Sequence, residues 1–470
     1  MNRPLGPWAD ELIRWCDGRC TINLVAHITT KDDHTIDVDM FKKAVFALVY
    51  NEPHLRSDAD LSVTPALWVP ATDFSDLFHY EDVRNSGAKC VADVWHLIEK
   101  ETNYTWQFGS GKPLYKCTLL HIVDGYVVMN IYHHGAADGT SGLVMMGEIM
   151  KQYKLLEEGK DVIKKPHQPR GPMEDLVKGK IELGETTEGV VKELIKQKTM
   201  RANEWKPLLP FDMDEHEENK AGEFINKILF RDGTKENYTG IRARCKAEGV
   251  SVGSIALAAS YMAMAEIHAK STCSDMSEYQ GMKEQYMDIP VNIRHRLGNV
   301  NGDEYCGFYV TEVTFKCDVL LETNLWDLAR NIQGQLKTII AQDQHLLFAK
   351  VKEEWETGED TKELAVSSWQ EGKISDVIVS NLMYYKYPTD LGWGEIQSLY
   401  CAVSVAIPFC SNLELLFQAC NGKFTYTLVY CPGEKNEKYA NEYIDAFVKI
   451  MEKSHLGDVT HSLEELLSEK

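Results

Sequence analysis

The segment HHGAADG at residues 133–139 contains the side chains best suited to acid–base chemistry. A neutral imidazole titrates near neutral pH and can take a proton from an attacking hydroxyl or amine. Small residues beside the histidines leave room for a substrate, and Gly135 and Gly139 permit close backbone approach and unusual dihedral angles at a tight turn. Paired histidines also end strands by chance with their nitrogens bonded to the backbone, but the length of this segment favours a base.

Asp138 follows His134 by four residues, and its side chain is too short for us to assume that it orients that imidazole. An arginine partner that fixes the loop is the alternative. Arg294 and Arg296 lie two apart in IPVNIRHRL, which predicts a strand, so their side chains should point to one face and could bind two carboxylates.

Strand and helix patterns alternate around these residues. Residues 20–30 predict a strand, and the apolar runs on either side of Asp124–Gly125 predict a β-hairpin whose second strand leads into the histidines. The segment that starts at Gly139 predicts a helix. Its apolar face would contain Leu143, Met146, Ile149, Met150 and Tyr153.

The composition changes at residues 159–222, where charged residues, Pro and Gly predict a surface crossover between two domains. Strand and helix patterns resume after it and end in an amphipathic helix. We therefore predict an α+β fold, an α/β sandwich, with domains at 1–158 and 223–470 and a cleft or tunnel between them.

Size and charge limit the classes of function. A chain of 470 residues with 44% hydrophobic residues can bury a large core, and a formal net charge of −21 should repel nucleic acid and anionic lipids. We find no apolar run long enough to span a membrane and no signal-peptide pattern, so we expect a cytoplasmic protein. The twelve cysteines form no CxxC pair, which predicts free thiols and no metal site.

Several segments resemble one superfamily. YHHGAADGTSG and the hairpin before it are similar to the active-site segment of the coenzyme A-dependent acyltransferases. That group includes chloramphenicol acetyltransferase, the BAHD acyltransferases, alcohol acetyltransferases and the condensation domains of peptide synthetases. FKKAVFALVYNEPHLRS, IPVNIRHRLGN and DLGWG resemble further segments, so the resemblance covers most of the chain. A doubled histidine is typical of condensation domains and alcohol acyltransferases, whereas DLGWG is a BAHD trait.

The resemblance implies two chloramphenicol-acetyltransferase-like domains with the active-site tunnel at their interface. It also implies that His134 is the general base and that Asp138, beside Gly139, is a structural carboxylate. His133 is then a supporting histidine that lies near the substrate.

The same resemblance implies an arginine partner for the motif aspartate and a structural role for the aspartate of DLGWG. We predict that Asp138 and Asp390 each pair with one member of the arginine couple, Arg294 with Asp138 and Arg296 with Asp390.

The implied activity is transfer of an acyl group, in particular acetyl, from acyl-CoA to a hydroxyl of a small or specialised metabolite. Ser380 and Asn381 are candidate donors to the oxyanion that forms at the thioester carbonyl. The acceptor would attack in a ternary complex, without a covalent intermediate or a tightly bound cofactor. The alternatives are N-acylation, condensation on a carrier protein, and a catalytically silent relative that binds a metabolite.

Overall fold

A computed structural model of the chain describes residues 3–16, 18–31, 34–178, 180, 185–204, 208–209, 211, 225–273, 279–297, 305–347, 350, 373–405, 410–457 and 462–468. The strands of this part of the chain, β1 to β14 in order, are Arg3–Pro4, Thr21–Thr30, Ser57–Asp60, Leu67–Pro70, Phe78–Asp82, Tyr115–Ile122, Gly125–His133, Lys227–Asp232, Met282–Asn292, Val310–Val319, Lys373–Tyr384, Gly394–Val403, Cys410–Cys420 and Lys423–Tyr430.

The helices of the same part, α1 to α11 in order, are Pro7–Trp15, Val38–Asn51, Trp95–Thr102, Gly139–Glu157, Met173–Lys178, Glu185–Glu204, Lys235–Glu248, Val252–Thr272, Leu325–Ala341, Glu434–Lys453 and Leu463–Ser468. Three short 3-10 helices lie at Arg84–Ser86, Val91–Val94 and Arg294–Arg296. The predicted mixture of strands and helices in both halves is therefore present.

The first sheet positions the histidine segment. Its strand order is β12-β2-β7-β6-β5, and β6 and β7 form the predicted antiparallel hairpin. Helices α2 and α4 pack against each other on this sheet. All five residues of the predicted apolar face of α4 are buried. Asp37 caps α2, because its side chain accepts a hydrogen bond from the N–H of Met40 at 2.9 Å.

The second sheet has the strand order β10-β9-β11-β13-β14-β8, and helices α7 to α10 cover it. Helix α8 is the central helix of this layer and packs against α9 and α10. By length and hydropathy it could cross a membrane, contrary to the expectation that no apolar run is long enough, but 83% of its most apolar window is buried inside the protein. Ala-rich composition allows this close packing, and α8 is a core helix here.

One strand of the second half joins the first sheet. Strand β12 pairs with β2 in antiparallel fashion and also packs against β13 and β14 of the second sheet. The end of β11 and the chain that follows it run along α4. Leu382 of β11 lies close to Gly139, and the ring of Tyr387, after β11, covers Gly147. The predicted boundary alone therefore does not describe how the two halves are joined.

The predicted crossover starts on the surface of the first half. After α4, the N–H groups of Lys165 and His167 donate to the side-chain and backbone oxygens of Asn51 at 2.7 Å and 2.8 Å. These bonds hold the chain against the end of α2. Residues 212–222, the last part of the predicted crossover, lie outside the described residues.

Candidate active site

His134 directly follows β7, the second strand of the hairpin. Its backbone N–H donates to the carbonyl oxygen of Cys20 at 2.7 Å, which fixes the residue beside the start of β2. The imidazole is partly exposed and meets the ring of Phe308 edge-on, with 5.4 Å between the centroids. Burial lowers the pKa of His134 below its usual value, and the nearby charge of Asp138 partly opposes this shift. The ring is therefore neutral near pH 7, as a general base requires.

His133 differs from its neighbour in every respect that matters for catalysis. It is fully buried, and its Nδ1 accepts a hydrogen bond from the N–H of Gly135 at 3.0 Å. Burial lowers the pKa of His133 to about 3, so the ring stays neutral. Because Nδ1 is an acceptor, the ring proton lies on Nε2. The hydrogen bond to Gly135 holds the turn after β7.

Asp138 is the N-cap of α4. Its Oδ1 accepts hydrogen bonds from both the N–H and the hydroxyl of Ser141 at 2.9 Å, and its Oδ2 accepts from the N–H of Tyr309 at 2.9 Å. The first bond satisfies a helix N–H that would otherwise lack a partner. The Asp138 carboxylate therefore has a structural role. It bonds to the first turn of α4 and to the backbone of the second half of the chain.

Arg294 provides the counter-charge for this carboxylate. Its Nη1 and Nη2 donate to Oδ2 and Oδ1 of Asp138 at 2.7 Å and 2.9 Å, and both side chains are almost fully buried. Burial alone would raise the pKa of Asp138, but Arg294 and the N–H donors of Ser141 and Tyr309 bring it below its usual value. The predicted pairing of Asp138 with Arg294 is present.

The arginines do not lie on a strand, however. Strand β9 ends at Asn292, and Arg294 and Arg296 occupy a 3-10 turn, so the predicted common direction of their side chains is wrong. At the end of β9, Asn292 Oδ1 accepts a hydrogen bond from the N–H of Arg294 at 3.0 Å. Since 3-10 geometry does not alternate side chains between two faces, the two guanidinium groups separate.

The predicted partner of Arg296 is also wrong. Arg296 pairs with Asp343 at 2.6 Å, and Asp390 pairs with Lys31 at 2.7 Å. DLGWG is distant from the base because Gly394 pairs with Thr30 at one end of β2, whereas His133 pairs with Thr21 at the other. Nine residue steps of a strand span roughly 30 Å. Asp390 therefore fixes the start of β12. It does not fix the active-site turn, residues 134–138 between β7 and α4.

The arginine also draws a segment of the second half onto the histidine. Its Nη2 and Nε donate to the carbonyl oxygens of Gly307 and Tyr305 at 3.0 Å and 3.3 Å, and the N–H of Gly307 donates to Ser141 Oγ at 3.1 Å. These bonds place Phe308 against the imidazole of His134. Ser141 and Phe308 were not among the predicted site residues. The Asp-x-x-Ser spacing of an N-cap could have indicated Ser141, whereas no local pattern indicates Phe308.

The two glycines of the histidine segment allow neighbouring side chains to pack closely against the backbone. A Cβ at Gly139 would lie 2.3 Å from Cδ2 of Leu382, and a Cβ at Gly135 would lie 3.0 Å from Cγ1 of Ile13. Neither glycine has a positive φ, so the expected unusual dihedral angles are absent at both positions. Packing, not backbone conformation, excludes side chains here.

Ser380 and Asn381 lie on β11, just before the residue that contacts Gly139. Ser380 is buried, and Asn381 Oδ1 accepts a hydrogen bond from the N–H of Met383 at 2.8 Å. Met383 has a φ of 66° and is 67% exposed, so the strand is distorted at this point. Strand β11 thus passes the N-terminus of α4, but the Asn381 oxygen is used within its own strand.

In the described ranges, the cysteine and acidic side chains do not form a metal site. All twelve cysteines are free, and ten of them are buried. No group of three or more His, Cys, Asp or Glu side chains in the described part of the chain could hold a metal ion.

Solved structures share this architecture. The trichothecene 15-O-acetyltransferase TRI3 from Fusarium sporotrichioides superposes with a TM-score of 0.67 at 13% identity, over 95% of each chain. The first condensation domain of the calcium-dependent antibiotic synthetase gives 0.69 at 12% identity, over 99% of each chain. Polyketide synthase associated protein 5 from Mycobacterium tuberculosis gives 0.65 at 14% identity, over 97% of this chain and 98% of that one. The chain therefore has the fold of these two-lobed domains, which is similar to that of chloramphenicol acetyltransferase.

A family model narrows the class. The alcohol acetyltransferase family matches residues 79–431, and the chain belongs to this family. The matched region contains the histidine segment, Arg294 and DLGWG. No curated protein sequence matches the chain.

Proposed function

We propose that this protein transfers an acyl group, acetyl in particular, from acyl-CoA to a hydroxyl of a small metabolite, with His134 as the general base. One observation carries the proposal. His134 is a neutral, partly exposed imidazole at the end of β7, and its neighbouring carboxylate is locked in an ion pair with Arg294. A free carboxylate nearby would compete for the proton, whereas a locked one leaves the imidazole as the available base.

In the proposed step, the imidazole of His134 takes the proton of the acceptor hydroxyl while the oxygen attacks the thioester carbonyl. The carbonyl oxygen becomes an oxyanion in the tetrahedral intermediate, and a donor such as the Ser380 hydroxyl would stabilise it. The C–S bond then breaks, and the thiolate of coenzyme A receives the proton from the imidazolium. Phe308 limits the orientations that the imidazole can adopt during both transfers.

We propose an alcohol and not an amine as the acceptor, because the chain belongs to the alcohol acetyltransferase family. The test is to incubate the protein with acetyl-CoA and matched alcohols and amines, and to follow thiol release together with product mass. We expect ester formation that depends on His134 and does not change in His79→Ala, since His79 is an exposed histidine on β5 and serves as the matched control. Amide products would replace the proposal by N-acylation. Turnover only with acyl groups on a carrier protein would favour a condensation activity, and no turnover with any donor would favour a silent relative.

A further inference from the structure

A cavity opens beside the residue that follows the base. It is lined by Gly135 of the histidine segment, by Phe308 of the second half, and by Arg3, His54, Trp68 and Tyr309, among others. The space between these residues is about 350 Å³ when all space between the atoms and the solvent at the open mouth are included, so the enclosed part is much smaller. Trp68 and Phe308 are buried and give it apolar walls. The cavity therefore joins β1 and the end of α2 to the segment that Arg294 holds against His134.

Arg3 is the charged group in this cavity that lacks a counter-ion. Its guanidinium donates to the carbonyl oxygen of Arg170 and lies 2.6 Å and 2.9 Å from the two ring nitrogens of His54. Within the described ranges, no carboxylate lies within ion-pair distance of Arg3. Burial lowers the pKa of Arg3, and burial together with the charges of Arg3 and Arg294 holds the pKa of His54 well below its usual value. A neutral His54 cannot balance the guanidinium.

A second guanidinium adds to the same positive field. Arg170 lies over the ring of Tyr305, 4.3 Å from its centroid, and its buried Nη1 has no hydrogen-bond partner in the described part of the chain. The hydroxyl of Tyr309 is likewise buried and lacks a partner there. In a chain with a formal charge of −21, two neighbouring arginines that form no ion pair with any described residue mark a place that favours an anion.

The acidic residue of the cavity does not cancel this field. Glu174 Oε1 accepts a hydrogen bond from the N–H of Trp8 at 3.0 Å, in the first turn of α1. Its charge is thus placed against the positive end of a helix dipole. Arg3 has no equivalent compensation.

We propose that this cavity binds the carboxylate of the acceptor, so that the acceptor is an alcohol that also has a carboxylate on an apolar body. The inference rests on the proposed function, because it assigns the cavity to the acceptor of that reaction. The phosphates of coenzyme A are an unsuitable occupant. A long pantetheine arm separates them from the thioester, whereas Gly135 lies one residue from the base. Arg3 would bind the carboxylate, and Trp68 and Phe308 would contact the apolar body.

Binding is tested first without turnover, by titrating the protein with benzoate and with uncharged methyl benzoate and measuring Kd by calorimetry. We expect benzoate to bind at least tenfold more tightly than the ester. Arg3→Gln should remove this preference, Arg3→Lys should retain part of it, and Arg56→Gln, a half-exposed arginine over the Tyr50 ring, should leave it unchanged. Unchanged benzoate affinity in a folded Arg3→Gln variant, or equal binding of ester and acid, would overturn the proposal. Arg3→Lys keeps the charge and so separates loss of the charge from loss of the fold.

Steady-state kinetics then show whether the cavity binds the acceptor or the acyl donor. With 4-(hydroxymethyl)benzoate and its methyl ester as acceptors, Arg3→Gln should raise the KM for the acid at least tenfold and leave the KM for acetyl-CoA unchanged. A raised KM for acetyl-CoA would assign the cavity to the donor and contradict the inference. Benzoate binding that depends on Arg3, in a protein that acetylates no alcohol, would refute the proposed function while supporting the anion site.

Discussion

The ion pair between Asp138 and Arg294 gives the most direct test of how the active-site turn is held. The side chains of Arg294 and Asp138 are 0% and 3% exposed, so removal of one leaves the other charge buried without a partner. That loss costs about 3–5 kcal/mol of unfolding free energy. Asp138→Ala also removes the acceptor for the N–H groups of Ser141 and Tyr309. We therefore expect Asp138→Ala at the upper end of this range and Arg294→Ala within it.

A double-mutant cycle by denaturant unfolding measures the interaction itself. The double variant should lose about 1–3 kcal/mol less than the sum of the two single losses, because the residues act as a unit. Arg296→Ala is the matched control. Its pair with Asp343 is half-exposed, so its loss should stay below about 1 kcal/mol and add to that of Asp138→Ala.

Additive losses for Asp138→Ala and Arg294→Ala would refute this account of the turn. Coupling to Arg296 instead would transfer the partner role to that residue. The pH dependence provides an independent check. Because the pKa of Asp138 is lowered on folding, the pair contributes its full stability above the unfolded pKa of about 3.9 and loses it as the pH falls further. Asp138→Asn should remove that acid-dependent part of the unfolding free energy.

Three further predictions concern the base and its surroundings. His134→Ala should lower kcat by about 100-fold or more with an unchanged melting temperature, and His133→Ala should lower it less; equal losses would mean that their roles are misassigned. Because burial lowers the pKa of His134, the acid limb of kcat/KM against pH should have its midpoint below about 6.5, and a midpoint above that value would contradict a buried neutral base. Gly139→Ala should destabilise the protein by about 1–3 kcal/mol through its clash with Leu382, and Leu382→Ala should reduce that penalty in unfolding measurements; an unaffected Gly139→Ala variant would show that the contact is soft.

The sequence by itself determined the local elements that hold the base. The hairpin, its turn at Asp124–Gly125 and the apolar face of α4 follow from periodicity and turn chemistry, which act over a few residues.

Only the tertiary structure decided which distant residues meet that segment. Arg294 reaches Asp138 across 156 residues, whereas Arg296, two residues further, turns to Asp343, because the strand stops and a 3-10 turn separates the two side chains. Contacts of this kind depend on how the two lobes pack. The spacing of residues along the chain does not specify that packing. Because β12 pairs with β2 in the first sheet, Asp390 lies at the far end of β2, where it forms an ion pair with Lys31. Phe308 reached His134 in the same way, since its segment is tied to α4 by the hydrogen bond from the N–H of Gly307 to Ser141 Oγ, which exists only once both lobes are folded.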